Sequence, residues 1–390
     1  MYRILIILLL VSCIGQAQFT FKTTTYRGVN CGVTLVEEDV KVLADLGGNL
    51  IRLSFPSNPL MDIEPPYDVN QEAFTYLDSV LHWSEKYGIG VVIDPHRYPG
   101  TEHQWTMLGS DPFWQDFTWH EHAIRLWEHI AQRYAQYGDV IAGYDLLNEP
   151  GMPKPIEVGS PGDLNLLYVK LTKAIRQYDT QHTIILAAPR VMNAAGRGSY
   201  IQGLPTMELP DDEHLAVEFH MYEPQAFSHQ GVLKQDGNLV EYPGEVEGAM
   251  WNKEKIHAVY QPVRDFQKRY PQVPLFLGEF SCPRWLGKMG NQYLEDIIQV
   301  TEQHNISWTY HAFREASVWN PEHSNTDAAD TTYLATTPRL ELLTRVFDRY
   351  EEREGFLLIT LIVLSYLKNP PAPPFVKGGA GGFEFLRTAR

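Results

Sequence analysis

The stretch Val140-Ile-Ala-Gly-Tyr-Asp-Leu-Leu-Asn-Glu-Pro150 decides the fold class, because it joins an apolar run to a terminal carboxylate. The run has the length and composition of a buried β-strand, and Pro150 cannot continue a strand ladder. A second stretch, Pro274-Leu-Phe-Leu-Gly-Glu279, repeats the arrangement far along the chain. Charged carboxylates at the ends of buried strands are costly to desolvate, so Glu149 and Glu279 are expected to have a partner or a task. The pair predicts acid/base chemistry that uses two carboxylates.

Eight apolar segments of this kind occur along the chain, and stretches with helical spacing lie between them. Strand followed by helix, repeated eight times, predicts an α/β fold that is a single (β/α)8 TIM barrel. The alternative is a doubly wound open sheet. It is disfavoured because Gly28-Val-Asn-Cys-Gly32 after the first strand lacks the GxGxxG pattern of a dinucleotide-binding turn. The predicted strands are Tyr26–Asn30, Asn49–Phe55, Gly90–Asp94, Val140–Leu147, Thr183–Ala187, Leu215–His220, Leu275–Gly278 and Ile306–Tyr310.

The helical stretches differ in how clearly they are marked. The segment Phe113–Tyr137 predicts a long helix before the fourth strand, and the apolar spacing at Ile256, Val259, Val263 and Phe266 predicts a single helix before the seventh. The connection after the fifth strand is rich in glycine and weakly periodic, so it gives the least support for a helix.

Composition and net charge limit the kinds of molecule that the protein can bind. The chain has 390 residues, of which 44% are hydrophobic and 21% charged, which is ample for one large soluble domain. Its formal net charge is −16, whereas nucleic-acid binding needs a basic face that neutralises phosphates. We therefore expect no nucleic-acid partner, and we expect the protein to be a monomer.

Residues 1–17 have the features of a secretory signal peptide. The apolar run Ile4–Val11 follows a positively charged start, and Gly15-Gln-Ala17 has the small-x-small pattern of a cleavage site. In an alternative reading, Leu10-Val-Ser-Cys13 resembles a bacterial lipobox, so the signal would end before Cys13 and a lipid on that residue would anchor the chain. The run is too short to span a bilayer, which takes about 20 residues. The protein is thus predicted to be secreted, extracellular or periplasmic, or else lipid-anchored at the cell surface.

The predicted catalytic barrel occupies residues 18–350, and the composition changes after it. Residues 351–390 form a low-complexity tail whose part Asn369–Phe383 is rich in proline and glycine. Such a composition predicts disorder rather than a second domain.

The number and spacing of the cysteines give little support for disulfide bonds or metal sites. Once the signal is removed, Cys31 and Cys282 remain, and two buried thiols are favoured over one disulfide because nothing in the spacing demands a bond. There is no CxxC or HExxH pattern, so neither a metal site nor a cofactor is expected.

Polar residues cluster at the predicted strand ends. In a (β/α)8 barrel the active site forms at the carboxyl ends of the strands. Glu218, His220 and Tyr222 would share one face of the sixth strand, because side chains alternate along a strand. The candidate residues at these ends are Arg52, His96, Asn148, Glu149, His220, Tyr222, Glu279 and Trp308.

Each candidate has an ordinary structural explanation when it is taken alone. Arg52 could form a salt bridge, His96 could be a hydrogen-bonded structural histidine, and Trp308 could belong to the core. Six of the eight strand ends carry candidates, however. Structural roles alone would have to explain all six at one face of the barrel.

The ordered set of these residues resembles glycoside hydrolase family 5, the cellulase family. Any one of these short motifs is weak evidence for the family. Together they occur in the family's order and on the expected strands, over about residues 25–345. The matching pieces are Ile51-Arg52-Leu53, Asp94-Pro-His96-Arg-Tyr-Pro-Gly100, Asp145-Leu-Leu-Asn148-Glu149-Pro150, Glu218-Phe-His220-Met-Tyr222, Gly278-Glu279-Phe280 and Trp308.

The resemblance implies a role for each catalytic carboxylate. Glu149 would be the general acid/base, with a pKa raised by burial or by the other carboxylate. Glu279 would be the nucleophile, kept ionised by hydrogen bonds from Arg52 and Tyr222. Hydrolysis would then retain the anomeric configuration, with the carboxylates about 5–5.5 Å apart rather than 6.5–9.5 Å.

The resemblance also assigns the supporting residues. Asn148 would bind the sugar 2-hydroxyl, His96 and His220 would line the pocket, and Trp308 would stack under the sugar at the cleavage point. Since Asn148 and Glu149 are neighbours, they would point to opposite faces of a regular strand. Both reach the site only if the strand has ended or kinked before them.

The substrate is the least determined feature. Endo-β-1,4-glucanase activity is the first choice within the family, and β-mannanase or another β-glucanase is the alternative. A non-catalytic carbohydrate-binding barrel is the reading from a different class, and both glutamates argue against it. Further loop residues that are candidates for sugar subsites or have no assigned role are Trp105, Trp251, Trp285, Trp319, His311 and Glu315.

Overall fold

The computed structural model describes residues 20–151, 157–192, 198–232, 239–324 and 328–348. The predicted signal peptide at residues 1–17, the alternative lipidation site Cys13 and the predicted tail at residues 351–390 lie outside the described residues.

Eight parallel strands form one closed barrel, which confirms the predicted fold class. Each strand pairs with the preceding and the following one, and β8 closes the ring on β1 with Arg27 opposite Trp308. The strands are β1 Arg27–Cys31, β2 Leu50–Ser54, β3 Gly90–Asp94, β4 Ile141–Asp145, β5 Ile184–Ala187, β6 Leu215–Met221, β7 Leu275–Phe280 and β8 Ser307–Tyr310.

Helices follow most of the strands and cover the outside of the barrel. They are α1 Glu37–Asp45, α2 Gln71–Tyr87, α3 Phe117–Tyr134, α4 Leu164–Ile175, α5 Gln225–Ser228, α6 Lys253–Val259, α7 Gln261–Arg269 and α8 Gly287–Gln303. Short 3-10 helices lie at Pro112–Trp114, Ile201–Thr206 and Arg284–Leu286, and a last helix is described from 338 to 348. Two-stranded hairpins pair Val191–Met192 with Gly198–Ser199 and Gly244–Val246 with Ala249–Trp251.

Local sequence explains where several helices begin and end. The side chains of Asn70, Asp116 and Asp163 accept hydrogen bonds from backbone N–H groups in the first turns of α2, α3 and α4. α2 stops at Gly88, which adopts a left-handed φ of 71°.

Two predicted connections differ from the structure. The connection after β5 contains the 3-10 helix Ile201–Thr206 where the repeat pattern predicts an α-helix, in line with its weak periodicity. The single helix predicted before β7 is two helices, α6 and α7, because Pro262 lies in the first turn of α7 and lacks the N–H that a continuous helix needs.

The inside of the barrel has an apolar floor. Small and medium apolar side chains from the strands pack there, closed by Phe21, whose ring lies 5.1 Å from that of Phe276. The floor consists of Phe21, Tyr26, Leu50, Val92, Ala142, Ile185, Ala216 and Phe276. Polar side chains occupy the next layer toward the carboxyl ends of the strands, so the site rests on a packed base.

Two further predictions concern cysteines and membranes. Cys31 and Cys282 are both free and buried, which confirms that they do not form a disulfide with each other. Within the described ranges, no helix combines the length and apolar character needed to cross a membrane.

Candidate active site

Arg52 is the centre of the polar layer. It is fully buried on β2, and its guanidinium faces four carboxylates at or near the ends of β3, β4, β6 and β7. Its nitrogens lie 3.1 Å from Asp94, 2.6 Å from Asp145, 3.1 Å from Glu218 and 2.9 Å from Glu279. A planar guanidinium with five donors can hold several acceptors at fixed angles, which suits this position better than a lysine would.

The four carboxylates around Arg52 are not equivalent. Burial raises the pKa of Asp145 well above its usual range, and the charge of Glu218 raises it further against the opposing charge of Arg52. One buried guanidinium cannot offset four buried negative charges. A protonated Asp145 carboxyl reduces the net negative charge of this layer.

Glu279 is placed and ionised by its neighbours. It lies on β7, where Arg52 Nη1 donates to its Oε1 at 2.9 Å and the Tyr222 hydroxyl donates to its Oε2 at 2.9 Å. Burial raises the pKa of Glu279, but the charges of His220, His311 and Arg52 outweigh it and hold the pKa well below its usual range. The two expected donors, Arg52 and Tyr222, are therefore both in place.

Glu149 is paired with His220. Nδ1 of His220 lies 2.9 Å from Glu149 Oε1, and Nε2 lies 3.1 Å from Glu218 Oε1 on the opposite side of the ring. Burial raises the pKa of Glu149, but the hydrogen bond and charge of His220 lower it by more. The pKa of Glu149 is therefore below its usual value. The expectation of a raised Glu149 pKa is wrong for this arrangement, because it left out the histidine. The pKa of His220 is raised instead: burial lowers it, and Glu279, Glu149 and Glu218 together more than offset that effect.

The two glutamates approach each other across the barrel opening. One oxygen of Glu149, one oxygen of Glu279 and one ring nitrogen of His220 all lie within 4.8 Å of one another. Among the described residues, these three side chains are also close enough together to act as ligands of one metal ion. Two carboxylates and an imidazole at this spacing equally suit acid/base chemistry at one reacting carbon.

The local backbone explains how neighbouring residues reach the site. β4 ends at Asp145, and Glu149 has a φ of 47°, in the left-handed region that residues other than glycine rarely adopt. The expectation that the strand ends or kinks before Asn148 and Glu149 is confirmed. His96 has a φ of 63° at the end of β3, so two site residues hold strained backbones of the kind found at functional positions.

Asn148 and His96 form a supporting pair. Asn148 Oδ1 accepts from Arg52 Nη2 at 2.9 Å, and its Nδ2 lies 3.1 Å from His96 Nε2 and 2.8 Å from the Trp105 carbonyl oxygen. His96 Nδ1 in turn lies 2.6 Å from Asp94 Oδ2. Protein partners thus engage the amide of Asn148, which is only 1% exposed, and these contacts link it to Arg52 and His96. Its contact with the sugar 2-hydroxyl stays a prediction.

The comparison with protein families agrees with this geometry. The model of the cellulase family, glycosyl hydrolase family 5, matches residues 17–317, which is more than half of the chain. The chain belongs to glycosyl hydrolase family 5. It is accordingly a glycoside hydrolase.

Relatives of this family 5 protein include proteins named as glucan-hydrolysing enzymes. Endoglucanase C of Acetivibrio thermocellus is 24% identical over 304 residues, which cover 71% of this chain and 84% of that protein. A probable glucan 1,3-β-glucosidase A of Aspergillus fumigatus is 26% identical over 163 residues, covering 39% and 36% of the two chains. Thermotoga maritima Cel5A, solved as a mutant form with cellobiose, is similar in fold with a TM-score of 0.64 and 21% identity, covering 85% of this chain and all of that one.

In this family 5 barrel, a cavity of about 470 Å³ opens above the two glutamates. Its size is within the range of small-ligand clefts. Its wall includes the predicted residues His96, Glu149, His220, Tyr222 and Glu279, together with the loop candidates Trp105, Trp319, His311 and Glu315. Trp105 is 46% exposed, so its ring is available to a ligand.

Two other loop tryptophans lie elsewhere. Trp251 is buried in the main hydrophobic core, and Trp285 packs against that core while its Nε1 donates to the Gln230 carbonyl oxygen at 3.3 Å. Neither side chain is part of the cavity wall.

Trp308 is a predicted site residue whose side chain lies outside the site. It is fully buried, and its ring stacks on Phe347 at 5.6 Å and meets Phe280 edge-on at 5.7 Å. The expectation that it stacks under the sugar is wrong, because its side chain lies on the outer face of β8 between the barrel and the last helix. His311, one residue beyond the strand, reaches the cavity instead, with Nδ1 4.0 Å from Glu279 Oε2.

Tyr200 is a site residue that the sequence analysis missed. It hydrogen-bonds Glu149 and lines the cavity, and its ring lies 5.2 Å from that of His220. It comes from the Gly-rich connection after β5, which has no strand or helix periodicity. The sequence therefore carries no positional signal for Tyr200.

Proposed function

We propose that this family 5 enzyme is a secreted retaining endo-β-1,4-glucanase that hydrolyses β-linked polysaccharide by double displacement. Glu279 is the nucleophile and Glu149 the general acid/base. The observation that carries the proposal is the closeness of the two carboxylates, since one oxygen of Glu149 and one oxygen of Glu279 lie within 4.8 Å of each other. This short spacing supports the roughly 5–5.5 Å separation of retaining enzymes over the 6.5–9.5 Å at which inverting enzymes place a water between their carboxylates.

The first step is attack by Glu279 on the anomeric carbon. Arg52 and Tyr222 each donate one hydrogen bond to its carboxylate, which fixes both oxygens and keeps the group ionised. The bond from the anomeric carbon to the leaving oxygen breaks as the glycosyl–Glu279 ester forms. The leaving oxygen takes a proton from Glu149.

The proton for that step is shared by Glu149 and His220. Their contact of 2.9 Å and the raised pKa of His220 support a proton held by the pair. As Glu149 protonates the leaving oxygen, the one proton of the pair is transferred, so Glu149 is ionised and His220 is neutral when the first step ends. In the second step Glu149 takes a proton from the attacking water, the ester is cleaved, and the pair regains the proton that it lost.

Azide chemistry tests the two roles separately. In Glu279→Ala, azide should attack an activated aryl β-cellobioside from the vacated nucleophile side and yield the α-glycosyl azide. In Glu149→Ala, the glycosyl–enzyme still forms from the activated substrate, and azide should then yield the β-glycosyl azide. The matched control is Glu121→Gln, an exposed residue of α3, which should behave like the wild type. Full activity in either alanine variant would contradict the assignment.

The choice of polysaccharide rests on relatives that are named endoglucanases. Initial rates on carboxymethylcellulose, lichenan, laminarin and glucomannan separate the readings. Endo-β-1,4-glucanase activity predicts a rapid fall in carboxymethylcellulose viscosity relative to released reducing ends. Turnover confined to glucomannan would assign a β-mannanase, turnover confined to laminarin another β-glucanase, and binding without turnover a non-catalytic barrel.

Secretion rests on the signal-like sequence of residues 1–17. Expression of the full chain in a bacterial host, followed by mass spectrometry, gives the mature N-terminus. A secreted product that starts at residue 18 supports simple cleavage. A membrane-associated product with a lipid on Cys13, lost in Cys13→Ala, supports the anchored alternative.

A further inference from the structure

Glu315 has no role in the proposed mechanism, yet it lies on the wall of the same cavity. It follows β8 in the loop that also carries His311. Its side chain packs against Gly32 at the end of β1, where an added Cβ would lie 3.2 Å from Glu315 Cγ. β1 and β8 are neighbours in the barrel, and β4, which carries Glu149, lies across from them. Glu315 therefore approaches the site from the side opposite Glu149.

One carboxylate oxygen of Glu315 lacks a hydrogen-bond donor among the described residues. This oxygen, Oε2, is buried. The charged groups that act on it are His311, Glu279, His96 and Arg52, of which Glu279 repels it. Burial raises the pKa of Glu315, and the charge of Glu279 raises it further against the opposing charge of His311. A buried polar group without a partner costs free energy, so its position favours a bound ligand that supplies the donors.

The chemistry of the cavity restricts that ligand. Carboxylates accept strong, short hydrogen bonds from hydroxyl groups, and a neutral sugar offers several. Because Glu315 shares the cavity wall with Glu279 and His96 and enters it from the β8 side, we expect it to lie beside the sugar that Glu279 attacks rather than beside the leaving group near Glu149.

We propose that Glu315 is a specificity-determining residue that accepts hydrogen bonds from hydroxyl groups of the glycosyl unit attacked by Glu279. The proposal rests on the proposed function, since it assumes that Glu279 attacks a sugar. It assigns a substrate contact to a carboxylate of which one oxygen has no donor among the described residues. It also predicts that the same carboxylate lowers the stability of the free protein.

The first test separates a substrate contact from a structural role. Glu315→Gln keeps the shape of the side chain and removes its charge. Loss of hydrogen bonds from substrate hydroxyls to a charged acceptor should lower kcat/KM about 10- to 100-fold. The melting temperature should rise, because the variant no longer buries a carboxylate with an unpaired oxygen. A fall in melting temperature, or failure of the variant to fold, would show a structural role and overturn the proposal.

The second test asks whether the carboxylate contacts the substrate. The probes are 2,4-dinitrophenyl β-cellobioside and its analogues that lack the 2-, 3- or 6-hydroxyl of the ring carrying the aryl group. In the wild type, removal of the contacted hydroxyl should lower kcat/KM about tenfold or more. In Glu315→Gln that penalty should largely disappear, while the penalties for the other hydroxyls persist. Equal penalties in wild type and variant at all three positions would overturn the proposal.

Two variants complete the design. Gly32→Ala keeps the charge but crowds Glu315 Cγ, so it should lower kcat/KM on the parent probe and alter the same deoxy penalty. Glu121→Gln makes the same chemical change on an exposed helix face and should change neither quantity. If the wild type fails to hydrolyse every probe and polysaccharide, the proposed function fails. If the wild type is active and Glu315→Gln matches it, only the Glu315 inference fails.

Discussion

Gly278, the residue before the proposed nucleophile, should tolerate no side chain. A Cβ at this position would lie 1.4 Å from Glu218 Oε1, 2.4 Å from its Cδ and 2.8 Å from its Cγ. To restore an ordinary contact of about 3.4 Å, the Glu218 carboxylate would have to move by about 2 Å. Its contacts with Arg52 Nε and His220 Nε2, both 3.1 Å, cannot survive that displacement. Gly278→Ala thus acts on the site through a carboxylate that does not touch the substrate.

The size of the effect follows from those lost contacts. Breaking a buried ion pair by displacing one partner costs about 3–5 kcal/mol. That is a large share of the roughly 5–15 kcal/mol by which a domain is stable. At about 2 °C for each kcal/mol in a domain of this size, the melting temperature should fall by about 6–10 °C. Because Arg52 contacts Glu279 and His220 contacts Glu149, the two proposed catalytic residues, kcat should also fall about 100-fold.

Thermal unfolding and kcat on carboxymethylcellulose measure the two effects. The control is Gly138→Ala, since an added Cβ there meets no atom within 4 Å and the residue is exposed. Combining Gly278→Ala with Glu218→Ala removes the clash. The double variant should therefore lose less stability than the two single variants lose together. A Gly278→Ala enzyme with wild-type melting temperature and kcat would refute the reasoning.

Three further substitutions test the site and the fold. His220→Asn removes the hydrogen bond and charge that lower the pKa of Glu149, and it removes the histidine of raised pKa that keeps a proton on the pair. The basic limb of the kcat–pH profile should therefore move to lower pH. Tyr222→Phe removes the 2.9 Å hydrogen bond to Glu279, so kcat/KM should fall about tenfold or more, and the acid limb should move to higher pH as the Glu279 pKa rises. Trp308→Ala should lower the free energy of unfolding in urea by about 3–5 kcal/mol, while KM of the remaining folded enzyme stays unchanged.

Sequence alone could predict the barrel because its signals are local and repeated. Apolar segments such as Gly90–Asp94 alternate with amphipathic stretches, and a polar residue follows each of several segments. Glu218, His220 and Tyr222 could be assigned to one face because alternation inside a strand does not depend on the rest of the fold. Their meeting with Arg52 then follows from closure of the barrel.

Trp308 shows where this reasoning fails. Alternation places Ser307, Thr309 and His311 on one face of β8 and Trp308 with Tyr310 on the other, but it does not say which face points inward. The structure turns Thr309 inward, where its hydroxyl donates to the Gly278 carbonyl oxygen. The small polar residues next to the tryptophan were thus the usable signal, since the barrel interior has room for them and not for an indole.

The protonation of the site could not be read from residue types either. A carboxylic acid that serves as a proton donor is commonly expected to have a raised pKa, and burial does act in that direction on Glu149. The outcome is set by the 2.9 Å contact with His220, which requires two side chains from β4 and β6 to meet at one edge. For a related reason Tyr200 was missed and Glu315 could be named only without a role, because loops carry no periodicity that would place their side chains.

The arrangement around Arg52 explains how two glutamates in one cavity acquire different tasks. Both are buried and close together, so proximity alone would raise the pKa of each one. Arg52 and Tyr222 donate to Glu279 and not to Glu149, whereas the hydrogen bond of His220 goes to Glu149. These donors support the two proposed roles, in which Glu279 keeps a negative charge and Glu149 shares a proton with His220. The difference arises from which donors each strand end presents, and Gly278 belongs to it because only a residue without a Cβ leaves space for the carboxylate that holds His220.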